Sequence, residues 1–261
     1  MLLSVDHVVK RFGDLGVLNG VSLVAAPGQV TGLIGPNGSG KTMLFDVISG
    51  FVPKDGGRVM LDGGLLDDVN PHELACRGLV RTFQIPRVAR RMTLLENLMV
   101  APARGEGESI LRLFSPFHTR RIRRDEQDRR SRAWRLLAAL GLERRANDFA
   151  EVLSGGQLKL LSIGIALMTD PETLLLDEPT AGVNPVLIER ILGVLAARRD
   201  EGRTTLIIEH NIQIISDICD RVYVLDVGEI IASGSPSEVR SNERVIGAYL
   251  GRRERKAGRP Q

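Results

Sequence analysis

Cysteine is nearly absent from this chain: Cys76 and Cys219 are its only two. They lie far apart and outside any metal-ligand spacing, so a disulfide scaffold and a cysteine-based metal site are both excluded, and a reducing compartment is implied. Both thiols are assigned to packing. Long apolar runs are missing as well. The stretch from Leu160 to Met168 is about half of the roughly 20 residues that a membrane helix needs, and the start, MLLSVDHVVKRF, interrupts with charge the apolar core that a signal peptide requires. A cytoplasmic protein is expected, with any membrane role supplied by a partner. Strong net charge is lacking too. At +3 over 261 residues the chain has no general attraction for nucleic acid.

What charge there is clusters. Arginines crowd Arg120 to Arg135 and again Arg252 to Arg259. Such runs are ordinarily a solvated helical face and a disordered end; attraction to anionic headgroups at a membrane surface is the alternative. The apolar content of 43%, mixed with both charge signs, is that of a globular chain.

Leu2 to Val9 and Val17 to Ala25 alternate in polarity around a Gly13 to Gly16 turn and read as a hairpin. Val30 to Gly35 (VTGLIG) is a compact apolar run followed by a helical pattern over Lys41 to Ser49. Thr173 to Asp177 and Thr204 to Ile208 repeat the scheme of apolar run, polar break and helix. That alternation predicts a parallel sheet with helices on its faces and binding residues at the carboxyl ends of its strands. The interval from about Gly64 to Leu153 is mostly helical in pattern and reads as an inserted lobe. Arg221 to Ala232 reads as two strands around Val227-Gly228, with short helices after them.

Chemistry concentrates in Gly35-Pro36-Asn37-Gly38-Ser39-Gly40-Lys41-Thr42, a phosphate-loop pattern placed between a strand and a helix as that pattern requires. Its glycines let successive amides point at one locus where the helix start adds positive partial charge. Lys41 is then expected on the β- and γ-phosphates and the Thr42 hydroxyl on Mg²⁺. Asp177 and Glu178 end an apolar strand. Because neighbouring strand residues face opposite ways, they are given different work: Asp177 to hold Mg²⁺ and Glu178 to polarise the attacking water. A strand-ending turn at Asp-Glu-Pro is the bland alternative. Leu153-Ser154-Gly155-Gly156-Gln157 opens a further helix, from Leu158 to Met168, and Ser154 with two glycines at a helix start forms a second anion site. A Ser-Gly-Gly helix cap without a ligand is the bland alternative for the pentapeptide by itself.

With LSGGQ placed ahead of LLLDEPT, the chain resembles the ATP-binding-cassette family over nearly its whole length, Leu2 to about Leu250. The resemblance implies an α/β phosphate-loop NTPase core with a mostly parallel sheet, an N-terminal antiparallel β lobe and an inserted helical subdomain. It would be one ATPase domain over 1–251, with about 64–153 containing the helical lobe and the Gln84 loop, and a basic, disordered tail over 252–261. It also implies ATP and Mg²⁺ as ligands, and Ser154, Gly155, Gly156 and Gln157 closing on the γ-phosphate of the partner subunit. Gln84 matches the glutamine that touches the metal and the water, His210 the switch histidine on the γ-phosphate, and Phe12 the ring against adenine. Two departures stand out. Met43 replaces a second hydroxyl after Lys41-Thr42, so that only backbone amides remain for the α-phosphate there. Asn184 replaces the more usual aspartate of a loop that communicates between the two sites.

Within the family, RTFQIPRVARRMTLLENLMVA from Arg81 to Ala101, the arginine-rich insertion after it, AGVNP, IIEHN and AYLG are similar to the ATPase of branched-chain amino acid importers. A urea or amide importer and the lipopolysaccharide-export ATPase are the nearby alternatives, and soluble cassettes of DNA repair or translation the distant ones. The implied partners are a second such ATPase, identical or homologous, transmembrane permease subunits and, indirectly, a solute-binding protein, with no nucleic acid. The implied place is the cytoplasmic face of the inner membrane. Ile85, Val88, Met92 and Leu95 are the apolar candidates for a surface that docks a permease helix.

Overall fold

The computed structural model of the chain describes residues 1–67, 69–101 and 116–249, and within 116–123 the helix alone. The basic tail over 252–261, Leu250 and Gly251 before it, and residues 102–115 of the arginine-rich insertion lie outside the described residues. The chain divides into two compact units. The first is Met1–Arg81, Glu172–Ala181 and Leu195–Gln261; the second is Thr82–Pro171 and Gly182–Val194.

The first unit holds two sheets. β1 (Leu3–Phe12), β2 (Leu15–Ala25), β4 (Gly56–Leu61) and β5 (Gly64–Leu65) form an antiparallel sheet in the order β2-β1-β4-β5. In β1 the buried positions Leu3, Val5 and Val8 face the core, as a half-buried strand requires. The hairpin from β1 to β2 turns on Gly13 and Asp14. The second sheet runs β10-β9-β3-β8-β7-β6, built from β3 (Val30–Ile34), β6 (Leu79–Arg81), β7 (Thr173–Asp177), β8 (Thr204–Ile208), β9 (Arg221–Asp226) and β10 (Glu229–Gly234). All its pairs are parallel except β9 with β10. β3, β7 and β8 are buried at every residue, which explains why they read as unbroken apolar or threonine runs. Helix α1 (Lys41–Ile48) contributes Leu44, Phe45, Val47 and Ile48 to the core that both sheets share.

Residues 64–81, expected with the helical lobe, instead carry β5, α2 (Pro71–Cys76) and β6, which belong to the first unit. β6 has three residues, too few to show a period. Cys219 is buried as expected, but Cys76 is exposed and packs in no core.

The second unit is helical. α3 (Leu94–Met99) and α5 (Gly155–Met168) each start with a complete capping box, Thr93 with Glu96 and Ser154 with Gln157. α4 (Pro116–Ala139) packs against both. A Cβ on Gly164 of α5 would sit 2.9 Å from Leu140 and 3.1 Å from Leu98, so the missing side chain sets how closely the helices approach. The arginine run is only partly solvated: Arg129 donates to the carbonyls of Met99 and Ala101, and Arg132 to Leu167 O at 2.8 Å and Asp170 at 2.9 Å. These cations satisfy carbonyls at the C-terminal ends of α3 and α5, where the helix dipole favours positive charge. Arg124, Arg130 and Arg135 remain exposed. Leu95, expected on a docking surface, is buried in this lobe, whereas Ile85 is 79% exposed and Met92 also faces solvent. After α7 (Ile212–Ile218) and α8 (Pro236–Arg240) a last helical stretch covers 243–249.

In β1 the residue at the bulge, His7, adopts φ 49, and Gly57 opposite it φ 78. A Cβ on Gly57 would lie 2.2 Å from the His7 carbonyl oxygen. Gly57→Ala is therefore expected to destabilise the fold by about 3 kcal/mol. Gly193, exposed in α6 (Pro185–Asp200) with nothing near its Cβ position, should tolerate alanine with a gain of roughly 0.5–1 kcal/mol. Denaturant melts of the two variants check the contrast.

Candidate active site

Three neighbouring parallel strands end together. Leu33 of β3 pairs with Ile208 of β8, and Asp177 of β7 pairs with the same Ile208. The loops that follow them, from Gly35, Glu178 and Glu209, thus leave one edge of the sheet, the edge at which ligands bind in open α/β sheets.

The loop from Gly35 to Gly40 depends on its glycines. Gly35 has φ 152, and a Cβ there would lie 2.0 Å from Leu225 O; Gly40 has φ 107, with Val17 O 2.9 Å from the same position. Asn37 and Gly38 are exposed, and Ser39 is buried. No side chain caps α1, whereas α2, α3, α5 and α8 take caps from Asn70, Thr93, Ser154 and Ser235. Lys41 is 6% exposed, and its ammonium donates to Gly35 O and Pro36 O, each at 2.9 Å, and to Ser39 Oγ at 3.4 Å. Thr42 is exposed at the start of α1, and Met43 packs against the core.

Asp177 is 6% exposed. The Arg81 guanidinium lies between it, at 3.1 Å, and Asp46 of α1, at 2.6 Å, and also donates to Ser49 Oγ at 3.1 Å. Burial raises the Asp177 carboxyl above the usual range for an aspartate, and the Arg81 hydrogen bond only partly offsets it. Glu178 has φ 47, a left-handed backbone unusual for a side chain of its size. Its N–H donates to Ile208 O at 3.0 Å, and its carboxylate touches Nε2 of His210. Phe12 ends β1 with its ring 51% exposed and the Lys10 ammonium 5.3 Å from the ring centroid.

The remaining candidates lie in the second unit. Gln84 is exposed. Gln157 Oε1 accepts from Ser154 N and from Arg145, each at 3.0 Å, and Ser154 Oγ accepts from Gln157 N at 3.3 Å. A Cβ on Gly156 would meet Leu187 at 3.2 Å, while Gly155 has open space. Asn184 caps α6 by accepting from Leu187 N at 3.0 Å, a role its amide oxygen fills as well as a carboxylate would.

The structure thus gathers Lys41, Thr42, Asp177, Glu178 and His210 in one unit, with Ser154 to Gln157 and Gln84 in the other. It adds three residues that no motif isolates: Arg81 and Asp46, which hold Asp177 in a charge chain, and Glu209, which is buried beside His210. Among the described residues no group of three or more His, Cys, Asp or Glu is arranged to hold a metal ion.

A strand-loop-helix with a phosphate-loop sequence, in one sheet with an acid-ended strand one place removed from it, is the arrangement of a phosphate-loop nucleotide-binding fold. The chain belongs to the ATP-binding-cassette transporter family: the family model described as ABC transporter matches residues 18–181, and that described as branched-chain amino acid ATP-binding cassette transporter matches 229–255. It is accordingly an ATP-binding, ATP-hydrolysing subunit. It is 40% identical over 250 residues to the probable branched-chain amino acid transport ATP-binding protein LivG of Archaeoglobus fulgidus, covering 96% of this chain and 95% of that one. It is 39% identical to the high-affinity branched-chain amino acid transport ATP-binding protein BraF of Pseudomonas aeruginosa, covering 96% and 98%. Among solved structures it is similar to a nucleotide-free ATP-binding cassette from an ABC transporter, with TM-score 0.81 at 38% identity over 95% of this chain and 98% of that one. The ADP conformation of an ATP-binding cassette of an ABC transporter matches with TM-score 0.81 at 39% identity over 96% and 98%.

The Asp177 environment has a measurable sign. A carboxyl whose folded pKa is raised stabilises fully only below its unfolded pKa, and that stability is lost as pH rises through the folded value. Asparagine has nothing to lose. Asp177→Asn should therefore raise Tm of the nucleotide-free chain near neutral pH, on a scale of about 2–4 °C per kcal/mol, with the gain shrinking toward pH ~4. Thermal melts across that range test it, and a variant less stable than the parent at every pH contradicts it.

Proposed function

We propose that this chain powers the uptake of branched-chain amino acids or closely related small solutes through a membrane permease, by ATP-driven closure of a cassette dimer. The observation that carries the chemistry is the convergence of Lys41, Asp177 and the Glu178–His210 pair at the ends of three aligned parallel strands. The names of the relatives and the family match over 229–255 support the solute class.

In this reading residues 1–251 work as one cassette. The loop amides of Gly35, Asn37, Gly38, Ser39 and Gly40 and the Lys41 ammonium bind the phosphates, Met43 contributes backbone only, and Phe12 presents its ring to adenine. An uncapped helix start, a glycine-rich loop and a buried ammonium among carbonyl oxygens suit an anion. Mg²⁺ fits the donor set as well: a hydroxyl, one buried carboxylate and no dedicated cage match a cation that keeps most of its shell in water and phosphate oxygens. Thr42 and Asp177 would hold it, and bound there it would supply neutralisation of the phosphate charge. Glu178 takes the proton of the attacking water, and His210, in contact with the Glu178 carboxylate, donates to the γ-phosphate. Ser154, Gly155, Gly156 and Gln157 of a second subunit, identical or homologous, close on the same phosphate. Hydrolysis then removes the group that holds the halves together.

Among the described residues no helix is long and apolar enough to cross a membrane, so the proposed site of action at the cytoplasmic face of the inner membrane rests on permease subunits, with a solute-binding protein delivering cargo to them. The proposed dock is the loop after Gln84. Asn97 holds that loop firmly: its side chain accepts from Ala89 N at 2.8 Å and donates to the carbonyls of Ala89, Met92 and Thr93. Ile85→Asp and Met92→Asp should abolish solute uptake in reconstituted vesicles and leave ATP hydrolysis by the isolated chain little changed; parallel loss of both activities removes the docking role.

Glu178→Gln keeps shape and removes basicity, so turnover should fall by about 10² or more while ATP binding survives. With ATP, size-exclusion chromatography should show the variant shifting to twice its mass. Lys41→Ala should weaken nucleotide binding instead, and Ser154→Arg should spare binding by the monomer but block the dimer. A Glu178→Gln protein that turns over at the wild-type rate removes the base from the scheme.

A further inference from the structure

Glu209 takes no part in the scheme above, yet its carboxylate is the most deeply buried acid in the site, at 2% exposure. Oε1 accepts from both the N–H of Thr180, at 2.9 Å, and the Thr180 hydroxyl, at 2.5 Å; Oε2 accepts from the N–H of His210 at 3.2 Å. One oxygen therefore serves the loop after β7 and the other the loop after β8. The first loop carries Glu178 and the second carries His210.

We propose that Glu209 is a positioning residue for ATP hydrolysis, a buried carboxylate clamp that fixes Glu178 and His210 relative to one another by tying their two loops together. The proposal rests on the roles assigned above to Glu178 and His210. Glu178 sits at φ 47, a conformation that persists only where the surroundings over-determine it. They do so from both sides. Behind it the Glu178 N–H is tied to Ile208 O, and ahead of it Thr180 is tied to Glu209, so both restraints come from β8 and the residue that follows it. The chemistry of the clamp is specific. A carboxylate accepts at both oxygens and needs no donor, whereas a glutamine would turn either its NH₂ toward the His210 N–H or the same group toward two Thr180 donors. An aspartate would be one methylene too short to span the loops. The negative charge at this position is felt locally: the buried Cys219 thiol is pushed up to about 12, by burial first and then by the charges of Asp220 and Glu209.

The test compares Glu209→Gln, Thr180→Val and Glu178→Gln with the parent chain, reading steady-state ATPase kinetics, affinity for a fluorescent ATP analogue, and hydrogen exchange at the Thr180 and His210 amides. Glu209→Gln should lower kcat by about 10- to 100-fold, the scale of misplaced catalytic groups, with analogue affinity little changed. Thr180→Val, which removes one of the three hydrogen bonds and keeps the side-chain volume, should give a smaller loss of the same kind. Exchange at the two amides should quicken by roughly tenfold in Glu209→Gln and stay unchanged in Glu178→Gln. Because Glu209 acts through Glu178, the double variant should be scarcely slower than Glu178→Gln alone. The clamp is overturned if Glu209→Gln keeps the parent kcat, if kcat and analogue affinity fall in equal proportion with the melting temperature, or if amide exchange is unaltered. The two readings fail separately, since wild-type turnover in Glu178→Gln removes the base, and unaltered exchange in Glu209→Gln removes the clamp.

Discussion

β3, β7 and β8 are buried along their entire length, and a strand with no solvent face has nowhere to carry polar chemistry except at its end. Register then does the rest. Because Ile208 is paired on one side with Leu33 and on the other with Asp177, the three strands finish level and release their loops side by side. The phosphate loop, the adjacent acids and the histidine are far apart in sequence, and it is the shared register that makes one site of them. A slip of one residue in β7 would also turn Asp177 to the opposite face of the sheet.

Keeping that edge in place requires buried charge. Lys41, Arg81, Asp177 and Glu209 are all largely removed from water, a costly arrangement unless each charge finds partners. The structure meets the requirement with short local connections: Lys41 to its own loop, Arg81 between two carboxylates of α1 and β7, and Glu209 between two loops. Asp177 is the least well compensated, and burial leaves its carboxyl raised. A cation beside it would relieve that penalty.

How much of this was readable beforehand follows from how each feature is encoded. Contiguous patterns were legible: the runs expected over Thr173 to Asp177 and Thr204 to Ile208 are the bounds of β7 and β8, and Ser154 does open a helix through a capping box. Features encoded by a single residue were not. Arg81 carries no spacing rule, and its partner Asp177 lies 96 positions away. Glu209 stands next to His210 in plain view, but its importance comes from Thr180 across two strands. β6 has three residues and no period, so the sequence reads 64–81 with the helical lobe, whereas the fold puts it in the first unit. Leu95 and Cys76 differ from expectation for the reverse reason: each lies in a six-residue helix too short to show which face is buried, and only packing decides that Leu95 turns inward and Cys76 outward.

The chain passes from one unit to the other just beyond Glu178. Glu178 belongs to the first unit, which the chain leaves after Ala181; Gly182 begins the returning part of the second unit, and Asn184 caps α6 there. Within that second unit Val183 and Leu187 lie against Gly156, close enough that a Cβ on the glycine would meet them at 3.5 and 3.2 Å. The backbone that carries Glu178 thus runs, five residues later, into the packing of the helix that opens on Ser154. Between the Thr180 contact with Glu209 and the helix cap at Asn184, Gly182 has φ 71, in the left-handed region that glycine enters without strain.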